Sequence, residues 1–296
     1  MEIRILELIE GAKKAEGLTV IIDVFRAFSL ECYLYARGAS AVFPAGSVEE
    51  ARRLKQAHPE YLLIGERGGR RCEGFDYGNS PSQTRDVDLS GKKIVHTTSA
   101  GTQGIVNAMH AEEILTGSLV NARAVADYIS GRQPETVSLV AMGNGGERTA
   151  REDVICARYI KCLLEGRTCL IDEEIRSLRT DGGEHFFRPQ TQEIFPQEDF
   201  RLCTRRDIFP FVLRWKTGKW RLESVKSMYR NDGRLFAQRD ARYQPDPRQP
   251  VMITVWNYYN GQTKQALDSL VSRFNETAEN SHFVRHCLAW GGILHI

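Results

Sequence analysis

Residues 18–25, "LTVIIDVF", are a short apolar run that is rich in β-branched side chains and carries one aspartate near its end. Such a run is typical of a strand that is buried on both faces of a sheet. The next segment, "RAFSLECYLYARGA", has helical spacing and reaches Gly38, a residue that suits a helix C-cap. These residues predict a strand followed directly by a helix.

The same alternation of strand and helix continues over the first 170 residues. One predicted helix, "SVEEARRLKQAH", has Ser47 as its N-cap and Glu50 three residues later, which is a capping-box pattern. Two more helices are predicted at "NARAVADYISG" and "EDVICARYIKCLLEG". Further strands are predicted at "SAVFPAG" (40–46), "YLLIGE" (61–66), "KKIVHTT" (92–98), "EEILTGS" (112–118) and "TVSLVAMG" (136–143). This order predicts an α/β fold with a mainly parallel sheet and helices on both faces.

The rest of the chain is less regular. A helix is predicted at "DEEIRSL", and a hairpin at "PFVLRWKTGKWRLESV" with its turn near Thr217–Gly218. Residues 226–250 are polar and predict a linker or a loosely packed loop. The last segment predicts one strand, "VMITVWNYY", and one helix, "TKQALDSLVSRFNETAEN".

Composition excludes several classes of protein. The chain has 296 residues, 42% of them hydrophobic, and a formal net charge of only +2, so the global basic field of nucleic-acid binders is absent. No apolar run has the length of a membrane span, and the start lacks a signal-peptide core, so a cytoplasmic location is expected. The seven cysteines include no CxxC pair, which predicts reduced, packed thiols rather than a disulfide framework or a zinc site.

Charged and hydroxyl side chains follow four of the predicted strands, where ligands of open parallel sheets bind. Each has a structural alternative: Asp23 caps the next helix, Glu66 and Arg67 form an ion pair, and the carboxylates at 152 and 153 favour a helix dipole. The segment "TTSAGT" (97–102) precedes a predicted helix, and its N–H and O–H groups suit a phosphate. Convergence of these groups at one edge of the sheet predicts a site for an anion.

Several known motifs are absent. No cysteine is followed by an arginine six positions later, and "DVFRA" lacks the second aspartate of a DxD phosphatase motif. There is no GxxxxGK[ST] loop and no GxSxG elbow. The third glycine of a dinucleotide-binding pattern is replaced by Arg148 in "GNGGER". Hard oxygen donors without clustered His or Cys favour Mg²⁺ over zinc.

Taken in order, the motifs of the chain resemble those of the 2-phosphosulfolactate phosphatase family. The resemblance covers about residues 1–221, which predicts a first domain at 1–221 and a C-terminal extension of unknown role at 222–296. The motifs that carry it are "VIIDVFRA", "GERGG", "GFDYGNSP", "HTTSAGT", "GSLVNARAVA", "REDVICA" and "FPQEDFRLCTRRDIFPFV".

The resemblance implies a three-layer α/β/α domain, followed here by a smaller irregular extension, and Mg²⁺-dependent hydrolysis of a phosphate monoester. The substrate of the family is (2R)-2-phospho-3-sulfolactate, which yields 3-sulfolactate and phosphate on the way to coenzyme M. The expected partner is therefore a small phosphorylated anionic metabolite, not a nucleic acid or a membrane. The oligomeric state is left open, with a homodimer as one option.

The candidate site residues fall into three sets. The candidate catalytic residues are Asp23, Arg26, Glu66, Arg67 and Asp153. The candidate Mg²⁺ ligands are Asp23, Glu66, Glu152 and Asp153. The candidate substrate- and phosphate-binding residues are Asn79, Ser80, Thr97, Thr98, Gly101, Thr102 and Asn121. Attack on phosphorus by Asp23 itself and attack by a metal-bound water are both open. Arg70 and Arg71 add positive charge beside these sets, and arginine suits bidentate contact with oxyanions.

Two other functions are considered. The first is an inactive member of the family that binds a phosphorylated or sulfonated metabolite, because Ala100 stands where the family pattern has asparagine and the loop "GERTARED" is unusually charged. The second is a contact with nucleic acid or protein through the arginine-rich residues 226–250, for which a solvated loop is the simpler reading.

Overall fold

A computed structural model describes residues 1–216, 221–226, 254–256 and 293–295. The chain divides into two compact units, Met1–Arg230 and Asn231–Ile296. In the second unit, strands β11 (Thr254–Trp256) and β12 (Ile293–His295) pair antiparallel. The strand β11 lies within the predicted "VMITVWNYY". The predicted linker beyond residue 226, the predicted helix after it and the predicted hairpin turn lie outside the described residues.

The first unit contains a ten-stranded sheet in the order β1-β8-β2-β7-β9-β10-β3-β6-β4-β5. Pairing is parallel among β1, β8, β2 and β7 and among β3, β6 and β4. Its strands are β1 (Glu2–Glu7), β2 (Gly17–Ile22), β3 (Ala41–Pro44), β4 (Leu62–Arg67), β5 (Arg70–Arg71), β6 (Lys93–Thr97), β7 (Ala111–Gly117), β8 (Thr136–Ala141), β9 (Phe211–Lys216) and β10 (Arg221–Lys226).

Eight α-helices lie in the described residues of the first unit, and they cover both faces of the sheet. They are α1 (Leu8–Lys13), α2 (Ala27–Ala36), α3 (Val48–Ala57), α4 (Gly101–Asn107), α5 (Ala122–Arg132), α6 (Arg151–Leu164), α7 (Asp172–Ser177) and α8 (Gln197–Cys203). Of the helices in the described residues, none combines the length and the apolar character that crossing a membrane requires.

Strand β2 explains why the opening run is apolar at successive positions. Leu18, Val20 and Ile22 pack with residues of α5 and α6, whereas Ile21 packs with residues of α2 and α4. Because side chains alternate between the faces of a strand, burial on both faces requires an uninterrupted apolar run. The α/β class, the mainly parallel sheet and the helices on both faces are thus confirmed.

The predicted hairpin is confirmed, but its position was not foreseen. Strand β9 pairs antiparallel with β7, β10 pairs antiparallel with β9, and β10 pairs antiparallel with β3. The hairpin therefore lies inside the sheet, between its two parallel groups. Strand β1, at the edge, was also missed, because three charged residues in "EIRILE" leave it without an apolar run and it is only partly buried.

The N-cap prediction for α3 is confirmed. The Ser47 side chain accepts a hydrogen bond from the backbone N–H of Glu50 at 3.0 Å. The carboxylate of Glu50 accepts from the backbone N–H of Gly46 at 2.8 Å, one residue before the position that a capping box uses.

The cysteine prediction is wrong for one pair. Cys162 near the end of α6 and Cys169 in the following loop form a disulfide, with their Cα atoms 6.1 Å apart. The chain reverses after α6, so two cysteines seven positions apart meet without a CxxC spacing. Within the described residues the other cysteines are free and buried, as predicted: Cys32, Cys72, Cys156 and Cys203.

Close packing of α4 on the sheet gives a prediction at Gly104. A Cβ atom there would lie 2.6 Å from Sδ of Met142 and closer still to Ile21. We expect Gly104→Ala to lower the free energy of unfolding by about 1–3 kcal/mol, because overpacking exceeds the gain in helix propensity. Urea unfolding measures the change.

The matched control is Gly131→Ala in α5, because nothing lies within 4 Å of a Cβ atom at that exposed helical position. We expect this substitution to raise the free energy of unfolding by about 0.5–1 kcal/mol. A Gly104→Ala protein that is as stable as Gly131→Ala would contradict the packing described above.

Candidate active site

Four buried carboxylates lie where β2, β4 and the loop after β8 meet. Asp23 follows β2, Glu66 is in β4, and Glu152 and Asp153 are in the first turn of α6. Asp153 accepts hydrogen bonds from the backbone N–H groups of Val24 and Gly143, both at 2.8 Å. It therefore fixes the end of β2 to the loop that follows β8.

Asp23 also accepts backbone hydrogen bonds. Its Oδ1 accepts from the N–H of Ala27 at 3.1 Å, and the N–H of Gly101 is a second donor. A Cβ atom at Gly101 would lie 2.9 Å from Oδ2 of Asp23. Only glycine therefore permits the start of α4 to approach this carboxylate, which brings the loop after β6 to the end of β2.

Burial and neighbouring carboxylates raise the pKa values of Asp23, Glu152 and Asp153. Burial raises the pKa of Asp23 to about 6, and the nearby charge of Glu66 adds to the effect. Burial raises the pKa of Glu152 to about 7, with a contribution from Asp23. Burial together with Glu152 and Asp23 also raises the pKa of Asp153 well above its usual range. No ion pair joins Asp23, Glu152 or Asp153 to a cationic side chain in the part of the chain that the structure describes.

Glu66 holds two loops of the site together. Its Oε1 accepts from the backbone N–H of Ser99 at 2.7 Å, and its Oε2 accepts from the backbone N–H of Gly69 at 2.7 Å. The neighbouring Arg67 donates to Oγ1 of Thr97 at 2.9 Å and to the carbonyl of Glu66. The two side chains therefore do not pair with each other.

The hydroxyls of Thr98 and Thr102 are bonded to the start of α4. The N–H of each residue donates to the hydroxyl of the other, at 3.0 and 3.1 Å, and the Thr102 hydroxyl donates to the Thr98 carbonyl. The side-chain amide of Asn121 is also bonded to nearby backbone. Its Oδ1 accepts from the N–H of Ser118, and its Nδ2 donates to the carbonyl of Thr116. The geometry gives these three buried residues local structural contacts, and their proposed contacts with substrate remain predictions.

Arg26 forms a buried ion pair with Asp199, a residue to which the sequence analysis gave no role. Nη1 of Arg26 lies 2.9 Å from Oδ2 of Asp199 and also donates to the carbonyl of Ile194. Nη2 donates to the carbonyl of Gly69, and the guanidinium lies 4.9 Å from the ring centre of Phe195. The one signal of this partner in the sequence is the "FPQEDF" part of the family motif.

Asp199 also orients the loop that carries "GFDYGNSPSQ". Its Oδ1 accepts from the hydroxyl of Ser80 and from the backbone N–H of Ser82, both at 2.9 Å. Ser80 is therefore held by α8, and Arg26 is held by the same carboxylate. The structure brings both predicted residues together through an acid that lies 119 positions after Ser80.

A cavity of about 530 Å³ opens beside this ion pair. Five residues of the loop 74–83 line it, and they include the predicted binding residue Asn79. Three arginines and two acidic residues lie in the lining, and Asp199 pairs with one of the arginines, Arg26. The lining residues are Arg26, Gly69, Arg70, Arg71, Asp76, Tyr77, Gly78, Asn79, Gln83, Glu193 and Ile194.

One buried contact behind the cavity wall was not predicted. Asn79 lies 3.2 Å from Nε2 of His96, and Nδ1 of His96 lies 2.7 Å from Oε1 of Glu31. His96 and Glu31 are completely buried. The signal available in the sequence is a histidine inside the apolar strand β6 and a glutamate inside the apolar helix α2.

Within the described residues no group of three or more His, Cys, Asp or Glu side chains could hold a metal ion. Carboxylate oxygens are nevertheless the donor type that Mg²⁺ prefers. Mg²⁺ is commonly held by one or two carboxylates together with water and substrate phosphate. A carboxylate has about four lone-pair sites. If each oxygen accepts one backbone N–H group, the remaining lone pairs are free to bind a cation. The charge of Asp23 contributes to the raised pKa of Glu152, so these two carboxylates lie close together, and they are the pair that best meets this requirement.

The Arg26–Asp199 pair gives a prediction for stability. Asp199→Ala leaves a buried guanidinium without its carboxylate, so we expect a loss of about 3–5 kcal/mol in the free energy of unfolding. The adjacent, half-exposed Glu198, which pairs with Arg85, provides the control, because Glu198→Ala removes a surface pair worth about 0–1 kcal/mol. Equal losses in the two variants in urea unfolding would show that the buried pair is not a structural anchor.

Comparison with known proteins gives a consistent result. The family model for 2-phosphosulpholactate phosphatase matches residues 3–218. Among similar proteins, a "Probable 2-phosphosulfolactate phosphatase" of Clostridium novyi is 37% identical, with 69% of this chain and 91% of the relative covered. The protein of that name from Thermotoga petrophila is 32% identical, with coverage of 65% and 86%. The one from Caldicellulosiruptor saccharolyticus is 37% identical, with coverage of 49% of this chain and 61% of the relative.

Proposed function

The chain belongs to the 2-phosphosulpholactate phosphatase family, and from this premise we propose that it is a phosphoric monoester hydrolase acting on (2R)-2-phospho-3-sulfolactate. The reaction adds water across the P–O bond and yields 3-sulfolactate and inorganic phosphate. The observation that carries the proposal is the group of buried carboxylates, Asp23, Glu66, Glu152 and Asp153, together with a nearby cavity that arginines line. The carboxylates do not line the cavity themselves, but Glu66 accepts a hydrogen bond from Gly69 in its wall.

The cavity suits a substrate with several anionic groups. Phosphate, carboxylate and sulfonate all present planar or tetrahedral oxyanions, which guanidinium groups bind in bidentate fashion. Arg70 and Arg71 are exposed and line the cavity, while Arg26 is fixed in its wall by Asp199. The fixed Arg26 favours a defined orientation of the substrate, and the exposed Arg70 and Arg71 add attraction for the anion.

We propose that Asp23 and Glu152 hold Mg²⁺. When bound, this ion would supply charge neutralisation and polarisation of the phosphoryl group. Glu66 and Asp153 would support the two carboxylates by fixing the surrounding backbone, since each accepts backbone N–H groups at both of its oxygens. Without metal, burial raises the pKa of Glu152 to about 7, and binding of the cation would favour its ionised form. The attacking group is either Asp23 or a water.

The alternative of an inactive binding protein is less well supported. Its main argument is Ala100, but this residue is the N-cap of α4 and packs in the apolar cluster with Phe28. The substitution leaves the carboxylates intact. Catalytic loss would have no evident cause in the geometry of Asp23 and Glu66.

Substitution of the carboxylates tests the reaction. We expect Asp23→Asn and Glu66→Gln each to lower the release of inorganic phosphate from 2-phosphosulfolactate by about 100-fold or more. Asp23→Asn removes a charge that acts on the transition state, and Glu66→Gln replaces an acceptor oxygen by an NH₂ group and so displaces the loops at Gly69 and Ser99. Asp172→Asn, on the surface helix α7, is the control and should retain activity. Turnover like that of the wild type in either site variant would exclude the proposed roles.

Metal binding and pH test the carboxylates without relying on turnover. Because the folded pKa values of Asp23 and Glu152 are raised to about 6 and about 7, their protonated forms favour the folded state. In the absence of metal, the contribution of these two groups to the free energy of unfolding should therefore be largest below pH 4 to 5. It should fall as the pH rises through 6 and 7.

At pH 7 to 8, Mg²⁺ should reverse that loss. It should raise the free energy of unfolding by about 2.7 kcal/mol when its concentration is 100 times the dissociation constant. The measurement is thermal or urea unfolding with EDTA or with added Mg²⁺. In Glu152→Gln the gain should be smaller. No stabilisation of the wild type by Mg²⁺, or an equal gain in the variant, would contradict this metal site.

A further inference from the structure

A chain of buried polar contacts runs from α2 to the cavity. Oε1 of Glu31 lies 2.7 Å from Nδ1 of His96, and Nε2 of His96 lies 3.2 Å from Oδ1 of Asn79. Glu31 and His96 have no exposed surface, whereas Asn79 lines the cavity. The three residues connect the interior of the first unit with the cavity in which the substrate is proposed to bind.

This arrangement is unfavourable as simple core packing. The second carboxyl oxygen of Glu31 is buried and has no hydrogen-bond partner in the structure. Burying polar groups with incomplete hydrogen bonding costs free energy that apolar residues of the same size would not incur. A function in orienting another group is therefore a better account of Glu31 and His96 than packing alone.

The pair determines which way the amide of Asn79 faces. Burial raises the pKa of Glu31, which favours a protonated carboxyl that donates to Nδ1 of His96 and leaves a proton on Nε2. The geometry agrees with that arrangement, because the atom of Asn79 that lies 3.2 Å from Nε2 of His96 is the acceptor Oδ1. Nε2–H therefore donates to Oδ1, and the NH₂ group of Asn79 turns away from His96.

The NH₂ group of Asn79 is available for a ligand. Within the described residues no protein acceptor is bonded to it, and Asn79 shares the cavity wall with Arg26, Arg70 and Arg71. We propose that Glu31 and His96 are positioning residues that hold the NH₂ group of Asn79 toward the cavity, where it donates to an oxyanion. The identification of this oxyanion as part of the substrate rests on the proposed function. The orientation of the Asn79 amide is independent of that function.

The first test replaces the oriented donor. Asn79→Asp keeps an oxygen for His96 but presents a carboxylate oxygen to the cavity instead of NH₂. We expect the dissociation constant of inorganic phosphate, measured by calorimetry, to rise by about 10- to 100-fold. The KM for 2-phosphosulfolactate should rise similarly, with a smaller change in kcat.

Gln83→Glu is the control for added charge. Gln83 lines the same cavity, but its Nε2 already donates to the carbonyl of Glu193. Gln83→Glu introduces one negative charge and removes a donor that faces Glu193 rather than the cavity, so its effect on phosphate binding should be clearly smaller than that of Asn79→Asp. Equal effects, or phosphate binding by Asn79→Asp like that of the wild type, would overturn the proposal.

The second test asks whether His96 acts through Asn79. We expect His96→Leu to weaken phosphate binding about 10-fold and His96→Gln, which keeps an N–H donor, to restore part of the loss. In an Asn79→Ala background, His96→Leu should cause no further weakening. Additive effects in this double-mutant cycle would show that His96 has only a structural role.

Nuclear magnetic resonance of the wild type covers the case in which His96→Leu does not fold. Addition of phosphate should shift the side-chain NH₂ signal of Asn79, and no shift would overturn the proposal. A protein that shows this shift and the expected order of variants but hydrolyses no 2-phosphosulfolactate would refute the proposed function alone. Turnover that is insensitive to Asn79→Asp would refute the positioning role alone.

Discussion

The ion pair between Arg26 and Asp199 is the interaction on which the geometry of the site depends. Through these two side chains, the turn after β2 is joined to the loop at Gly69, to the loop at Ser80 and Ser82, and to the start of α8. These segments are far apart in the sequence. A buried pair tolerates the loss of neither partner, because the remaining charge has no solvent to replace it.

The carboxylates are arranged by a different principle. The carboxylate oxygens of Asp153, Glu66 and Asp23 accept hydrogen bonds from backbone N–H groups rather than from cationic side chains. Amides fix the direction of an oxygen but do not neutralise its charge. The site therefore keeps several mutually repelling acids in one place, an arrangement that is costly for the isolated protein and favourable once a cation is present.

The fold and the place of the site follow from local features of the sequence, whereas the partners of individual side chains do not. The apolar run of β2 and the N-cap Ser47 have local signals, and the polar residues after each strand indicated which loops would meet. Asp199, Glu31 and His96 were missed because their importance comes from residues 65 to 173 positions away. The insertion of the hairpin β9–β10 between β7 and β3 was missed for the same reason, since no local pattern specifies which sheet edge a strand joins.

The position of this hairpin has a consequence for synthesis of the chain on the ribosome. Strands β7 and β3 each pair with a strand that is made only after residue 210, although both are complete by residue 117. Until then, each presents an unpaired edge, and such edges pair readily with other chains. The nascent protein thus depends on residues 211–226 to close the middle of its own sheet, so chains that lack them carry a risk of aggregation that the finished sheet removes.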